Sequence, residues 1–164
     1  MNLKRKLILT IVGDGPEYRK LQSLAQKEDV SVVFHGWLDA PQKAELMRQA
    51  DLLCASSLWP EPFGMVGIEA GIVGLPSVAY DVGGIGDWLV PGMTGEIAPG
   101  NPPTIQGLAE AIVRALRDLD HYLELCQGAC RNAQNYLMES HLEALMRVLI
   151  EVSLRKKSCM NPAF

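Results

Sequence analysis

Ser56-Ser57-Leu58-Trp59-Pro60-Glu61-Pro62-Phe63-Gly64-Met65-Val66-Gly67-Ile68-Glu69-Ala70 is the stretch on which the fold turns. The run before it, residues 51–55 (DLLCA), is short, apolar and of strand type, and residues 63–73 read as a helix. Gly74 suits the left-handed cap of that helix, and Pro76 prevents its continuation. A strand leading through a loop into a helix places Glu61 at a strand's carboxyl-terminal edge, where open α/β sheets take their ligands. A helix opening at Phe63 and Gly64 aims unpaired amides and a positive dipole end at an anion, and Gly64 lets a phosphate come close. Glu69, two turns into the helix, offers a carboxylate to a diol such as a ribose. Two carboxylates thus flank one anion pocket.

Gly64, Gly67, Gly71 and Gly74 recur at helical spacing and leave one helix face almost bare. At up to about 1 kcal/mol per interior glycine relative to alanine, the pattern answers a constraint rather than chance. Close packing on the sheet and close approach of a ligand satisfy it equally. For Glu61 taken alone, a solvated loop acid is the default reading.

Further out, short apolar runs at 7–12 (LILTIV), 30–35 (VSVVFH) and 76–80 (PSVAY) match strands buried on both faces, and 95–98 (GEIA) is a weaker fifth. Between them lie helical patterns. Pro16 fits a first helical position, followed by Tyr18, Leu21, Leu24 and Ala25 up to about Glu28. Asp39 can cap a helix that holds Pro41, Ala44, Leu46 and Met47 and ends near Gln49. Strand and helix alternate, which predicts an α/β fold: a Rossmann-like parallel sheet with helices on both faces. Residues 104–119, 121–138 and 140–156 then read as three helices without strands. Ser140 and Glu143 have capping-box spacing; Leu142, Leu145, Met146, Leu149 and Ile150 form the last helix's stripe, and Arg155-Lys156-Lys157 complement its dipole.

The chain has 164 residues, room for a single domain over residues 1–164. A hydrophobic share of 48%, a charged share of 21% and a mean hydropathy of +0.08 exclude a disordered tail or a charged linker. Fifteen Lys and Arg against nineteen Asp and Glu leave a net charge of −4, which argues against a nucleic-acid surface and limits any membrane contact to a peripheral one. The weakly polar stretch 63–80 carries Glu69 near its middle and is no membrane span. Lys4-Arg5-Lys6 before 7–12 imitates a signal peptide, but Asp14 ends the run without a small-x-small cleavage site. Cys54, Cys126, Cys130 and Cys159 form no Cys-x-x-Cys pair, which fits a reducing cytoplasm. Cys126 and Cys130, spaced i and i+4, read as a core face, because no third Cys or His is placed to complete a metal site. Gly13-x-Gly15-x-x-Tyr18 falls one residue short of a dinucleotide fingerprint.

Several spaced motifs together carry a resemblance. Glu61-x7-Glu69 enclosing Phe63-Gly64 resembles the nucleotide-sugar site of family 4 retaining glycosyltransferases, the glycogen-synthase-like and mannosyltransferase group (glycosyl transferases group 1). Ile11-Val12-Gly13-Asp14-Gly15-Pro16-Glu17 and Val33-Phe34-His35-Gly36-Trp37-Leu38 resemble that family's second and third carboxyl-terminal-domain strands with their turns. Gly74-Leu75-Pro76-Ser77-Val78, Gly83-Gly84-Ile85 and Pro91-Gly92-x-Thr94-Gly95 resemble its closing strands and turns, so the likeness covers about residues 7–119. It implies the donor-binding, carboxyl-terminal half of a GT-B architecture, transferring a hexose from a nucleoside diphosphate sugar to an acceptor with retention.

Residue by residue, the resemblance implies that Glu61 is catalytic, contacting the donor hexose and positioning it for attack. Phe63, Gly64 and Met65 offer amides to hexose or diphosphate, and Glu69 binds ribose hydroxyls. Leu38 borders the base, Gly13 and Gly15 keep the cleft edge open, and Lys43 reaches the nucleotide, although a solvated helix lysine fits it as well. No cofactor and no metal are implied, because amides and basic side chains stabilise the leaving diphosphate. The chain departs from the family by starting after a first strand and helix that carry two basic anchors. The amino-terminal acceptor domain is likewise outside it. The gap predicts self-association, or residues 7–12 pairing directly with 51–55. The rival readings are a non-catalytic nucleotide-sugar-binding module and an inactive fragment.

Overall fold

A computed structural model describes the backbone of residues 6–159 and the side chains of residues 6–155. Lys4 and Arg5, the side chains of Lys156 and Lys157, and that of Cys159 therefore lie outside the described residues. All five expected strands form: β1 (Leu9–Val12), β2 (Val32–Gly36), β3 (Leu53–Ala55), β4 (Ser77–Tyr80) and β5 (Gly95–Ala98). The helices are α1 (Tyr18–Lys27), α2 (Ala40–Gln49), α3 (Met65–Ile72), α4 (Ile105–Leu116), α5 (Leu119–Ala133) and α6 (Met138–Cys159). None of them is long and apolar enough to cross a membrane.

Every named ladder is parallel, in two sheets ordered β1-β2 and β3-β4-β5. Leu9 stands opposite Val32, Leu53 opposite Ser77, and Ser77 opposite Gly95. The expected direct pairing of 7–12 with 51–55 does not form. The chain runs from β1 to β2 through α1 and from β3 to β4 through α3, while β4 reaches β5 through a connection with no α-helix; α2, between β2 and β3, packs on α3. One edge of β1 and one of β3 thus carry no ladder among the described residues.

The core lies around β4, which is buried on both faces as the side-chain period of two requires. Ala79 packs with Ile68, Ile85, Trp88, Leu89 and Ala133 on one face. Val78 and Tyr80 pack with Ala98, Ala111, Ala115 and Leu125 on the other. By contrast, among the described residues none before Met47 is buried. A two-stranded parallel unit with one face exposed and the other only half-buried is marginal in water.

Helix boundaries follow the local chemistry, with informative departures. Asp39 caps α2 through a full capping box with Gln42, and Pro41 occupies its first turn. Pro16 sits in the turn before α1, whose N-cap is Glu17, rather than opening the helix. Phe63 and Gly64 also stay outside their helix: α3 starts at Met65, because Gly64 adopts the left-handed conformation at the N-cap. The Ser140 capping box is not formed. α6 already begins at Met138, so Ser140 lies inside the helix and donates its hydroxyl to the Gln134 carbonyl instead. The stripe Leu142, Leu145, Met146, Leu149 and Ile150 stays exposed. Cys126 and Cys130 are half-buried on α5, with Ala129 and Ala133 forming its buried face. Burial and a hydrogen bond to Cys126 push the Tyr122 phenol up.

The bare face of α3 packs on Trp88 and on α5, not on the sheet. A Cβ at Gly67 would stand 2.1 Å from the Trp88 ring, and one at Gly71 would stand 2.9 Å from the Ala129 carbonyl oxygen. Gly67→Ala should therefore destabilise the fold by about 2 kcal/mol in chemical denaturation, overpacking outweighing the gain in helix propensity. In hydrogen exchange, the β1 and β2 amides should exchange well before those of β4, since local opening there uncovers little apolar surface. Equal protection in both sheets would show that the β1–β2 unit is closed by a neighbour.

Candidate functional site

β3 ends at Ala55 and releases the chain into the loop that carries Glu61. Two independent contacts hold this glutamate. Ser57 Oγ donates to Glu61 Oε1 at 2.9 Å, and the Glu61 carbonyl accepts from the Gly84 amide at 2.7 Å. The turn after β4 presses backbone to backbone on the loop. A Cβ at Gly83, whose φ is +56°, would stand 2.2 Å from the Glu61 carbonyl oxygen, and one at Gly84 would stand 2.2 Å from that of Pro62. Only glycine fits at either position.

The loop's other end is fixed by Phe63. Its carbonyl accepts from Trp88 Nε1 at 2.6 Å, and its ring lies 5.4 Å from that of Tyr136. Gly64 follows with φ +82° and offers no side-chain cap, so the first-turn amides of α3 are left without a side-chain acceptor from their N-cap. Met65 is exposed beside them. A helix start of this kind suits an anion.

Glu69, half-buried, accepts from Lys43 Nζ at 2.6 Å. The lysine on α2 is thus paired rather than free, and its ammonium stands against the carboxylate of α3. The structure therefore pairs Lys43 with Glu69, and it pairs Glu61 with Ser57. Gly13, Gly15 and Leu38 form a separate group at the ends of β1 and β2. Gly13 donates its amide to the Gly36 carbonyl at 2.7 Å, a contact made with φ +126°, and a Cβ at Gly13 or Gly15 would meet nothing within 4 Å. Leu38 is half-buried just ahead of the Asp39 cap. Among the described residues, no three His, Cys, Asp or Glu side chains are grouped to hold a metal ion.

What Ser57, Gly83, Gly84 and Trp88 hold in this geometry escapes a reading of the sequence. Ser57 carried a local signal, a hydroxyl four residues before the acid in a proline-bounded loop. Gly83, Gly84 and Trp88 lie more than twenty residues from the groups they hold, so no local spacing announces them.

Parallel strands with crossover helices, and a loop acid next to an uncapped helix start, define an α/β protein of the class whose ligands bind at the carboxyl ends of the strands. The model of the glycosyl transferases group 1 family matches residues 1–136, and the chain belongs to that family. It is 36% identical over 112 residues to a glycogen synthase of Mycobacterium tuberculosis, covering 67% of this chain and 26% of that protein. It is 37% identical over 110 residues to a phosphatidyl-myo-inositol mannosyltransferase of Mycobacterium leprae, covering 67% of this chain and 29% of that one. Among solved structures, Anabaena HepE in complex with UDP-glucose superposes with a TM-score of 0.74 at 26% identity, over 87% of this chain and 40% of HepE. The fold is that of GT-B glycosyltransferases. The chain spans between a quarter and a third of the length of these two curated relatives.

The Lys43–Glu69 pair is about one-third exposed on both sides, so solvent screens it. Lys43→Ala should cost no more than about 1 kcal/mol in urea denaturation. A larger loss would show that α2 is anchored to α3 chiefly through this pair.

Proposed function

We propose that this chain is the donor-binding part of a retaining glycosyltransferase, which moves a hexose from a nucleoside diphosphate sugar to an acceptor hydroxyl. The observation that carries this reading is the α3 start: a left-handed Gly64 without a side-chain cap, set between the half-buried carboxylates of Glu61 and Glu69. The similarity to HepE, which was solved with UDP-glucose, supports it. In this reading the backbone amides around Phe63, Gly64 and Met65 meet the diphosphate, and Glu69 takes the ribose hydroxyls. Lys43 gives up part of its contact with Glu69 and turns to the nucleotide. Leu38 borders the base, and Gly13 and Gly15 leave the opposite cleft edge open.

Glu61 faces the hexose. In the transfer, the bond from the anomeric carbon to the diphosphate oxygen breaks and the acceptor oxygen bonds to that carbon from the same face. The acceptor proton passes to the departing diphosphate oxygen on the same face, and the nucleoside diphosphate leaves. Amides aimed at the leaving diphosphate stabilise charge where it develops. A negative Glu61 beside the sugar stabilises the positive charge that grows at the anomeric carbon.

Titration calorimetry with UDP, GDP, uridine and guanosine tests the reading. A diphosphate should bind more tightly than its nucleoside, and the difference should survive EDTA, because amides rather than a metal hold the phosphates. Glu69→Ala should weaken diphosphate and diphosphate sugar alike, whereas Glu61→Ala should weaken only the sugar-bearing ligand. Equal affinity for nucleoside and diphosphate would overturn the assignment.

A further inference from the structure

We propose that Ser57 is a positioning residue for Glu61, making the two oxygens of the Glu61 carboxylate unequal so that one is kept for a donor sugar hydroxyl. This inference rests on the assignment of Glu61 to the donor hexose and adds the device that orients it.

The geometry is specific. A glutamate side chain has three rotatable bonds, and a fixed backbone does not by itself fix its carboxylate. Here the backbone is fixed first, by the Gly84 amide on the Glu61 carbonyl and by the close approach of Gly83. The carboxylate is then fixed from the strand side by Ser57 Oγ at 2.9 Å from Oε1. Ser57 stands two residues beyond the end of β3, on the half-buried side of the loop, while its neighbours Leu58 and Trp59 are exposed.

The chemistry follows from the inventory of donors and acceptors. An ionised carboxylate only accepts, and a serine hydroxyl has one proton to give. With Oε1 already accepting that hydrogen bond, Oε2 is the oxygen whose full acceptor capacity is open. A sugar hydroxyl approaching Glu61 then meets one preset oxygen rather than a rotating pair, which lowers the ordering cost of binding. The hydroxyl of Ser57 reaches a side chain rather than the loop backbone, so its removal disturbs the carboxylate and not the loop's own hydrogen bonds.

The test measures sugar discrimination in the full chain: calorimetry with UDP against UDP-glucose and GDP against GDP-mannose, scored on the pair that binds more tightly. Ser57→Ala should reduce the advantage of the sugar-bearing ligand over its diphosphate by about five-fold, the usual worth of one such hydrogen bond, and leave the diphosphate affinity unchanged. Ser57→Thr, which keeps the hydroxyl, should restore the advantage. In a Glu61→Ala background, Ser57→Ala should have no further effect. Equal weakening of both ligands, an unchanged ratio, or failure of threonine to rescue would each overturn the role of Ser57 while leaving diphosphate binding intact. If the unsubstituted chain shows no diphosphate preference over nucleoside, or no discrimination by sugar, the assignment of the site falls first and this inference falls with it.

Discussion

Trp88 is the residue through which α3, α5 and the β4–β5 connection are held together. Its indole nitrogen donates to the Phe63 carbonyl, its ring fills the space above Gly67, and it is 2% exposed. Its own carbonyl accepts from Asn132 Nδ2 on α5 and from Thr94 Oγ1 ahead of β5, both at 3.0 Å. One residue, through its indole and its carbonyl, therefore ties the start of α3, the connection from β4 to β5, and α5. Gly64 brings no side-chain cap to the first amides of α3, so that helix start is held by its neighbours instead. Trp88 holds this start through the Phe63 carbonyl, an acceptor, and so occupies none of the α3 amides.

The same division of labour runs through the fold. β4 is covered on both faces, and β5 is tied to the helices that follow by a polar cluster. Glu96, buried, accepts from Arg114 Nε on α4 and lies 3.0 Å from His121 Nε2 on α5, while Arg114 also donates to the Ile97 carbonyl. A buried carboxylate is tolerated because both of its oxygens are partnered. The β1-α1-β2 unit has no comparable core, and the apolar residues of α6 remain exposed. Rigidity is thus concentrated behind Glu61 and Glu69, while the Gly13, Gly15 and Leu38 edge belongs to the less buried part.

The two acids are also held differently. Glu61 is fixed at its backbone by the Gly83-Gly84 turn and at its carboxylate by Ser57, within one loop and its immediate neighbour. Glu69 rides on α3 and is paired with a long, flexible lysine from another helix. A serine hydroxyl on a clamped loop sets direction. An ammonium on a flexible four-carbon stem neutralises charge without fixing direction.

Period and punctuation made much of this legible in the sequence: all five strands, the Asp39 cap, Gly74 at the end of α3, and the acids Glu61 and Glu69 on a loop and a helix. Each of those features depends on residues within a few positions of one another, which is the range over which backbone preference and capping act. What the glycines of α3 were for could not be read locally, because an empty helix face looks the same whether a ligand, a sheet or an indole twenty-one residues downstream fills it. Nor could Ser140 be told from a true cap, since the choice lay with the chain continuing from Tyr136 into α6. The strand order within each sheet, the lack of a ladder between β1 and β3, and the pairings Lys43–Glu69 and Ser57–Glu61 were decided only by the tertiary structure. These are contacts between elements, and their geometry follows from which elements the fold brings together rather than from any stretch of sequence.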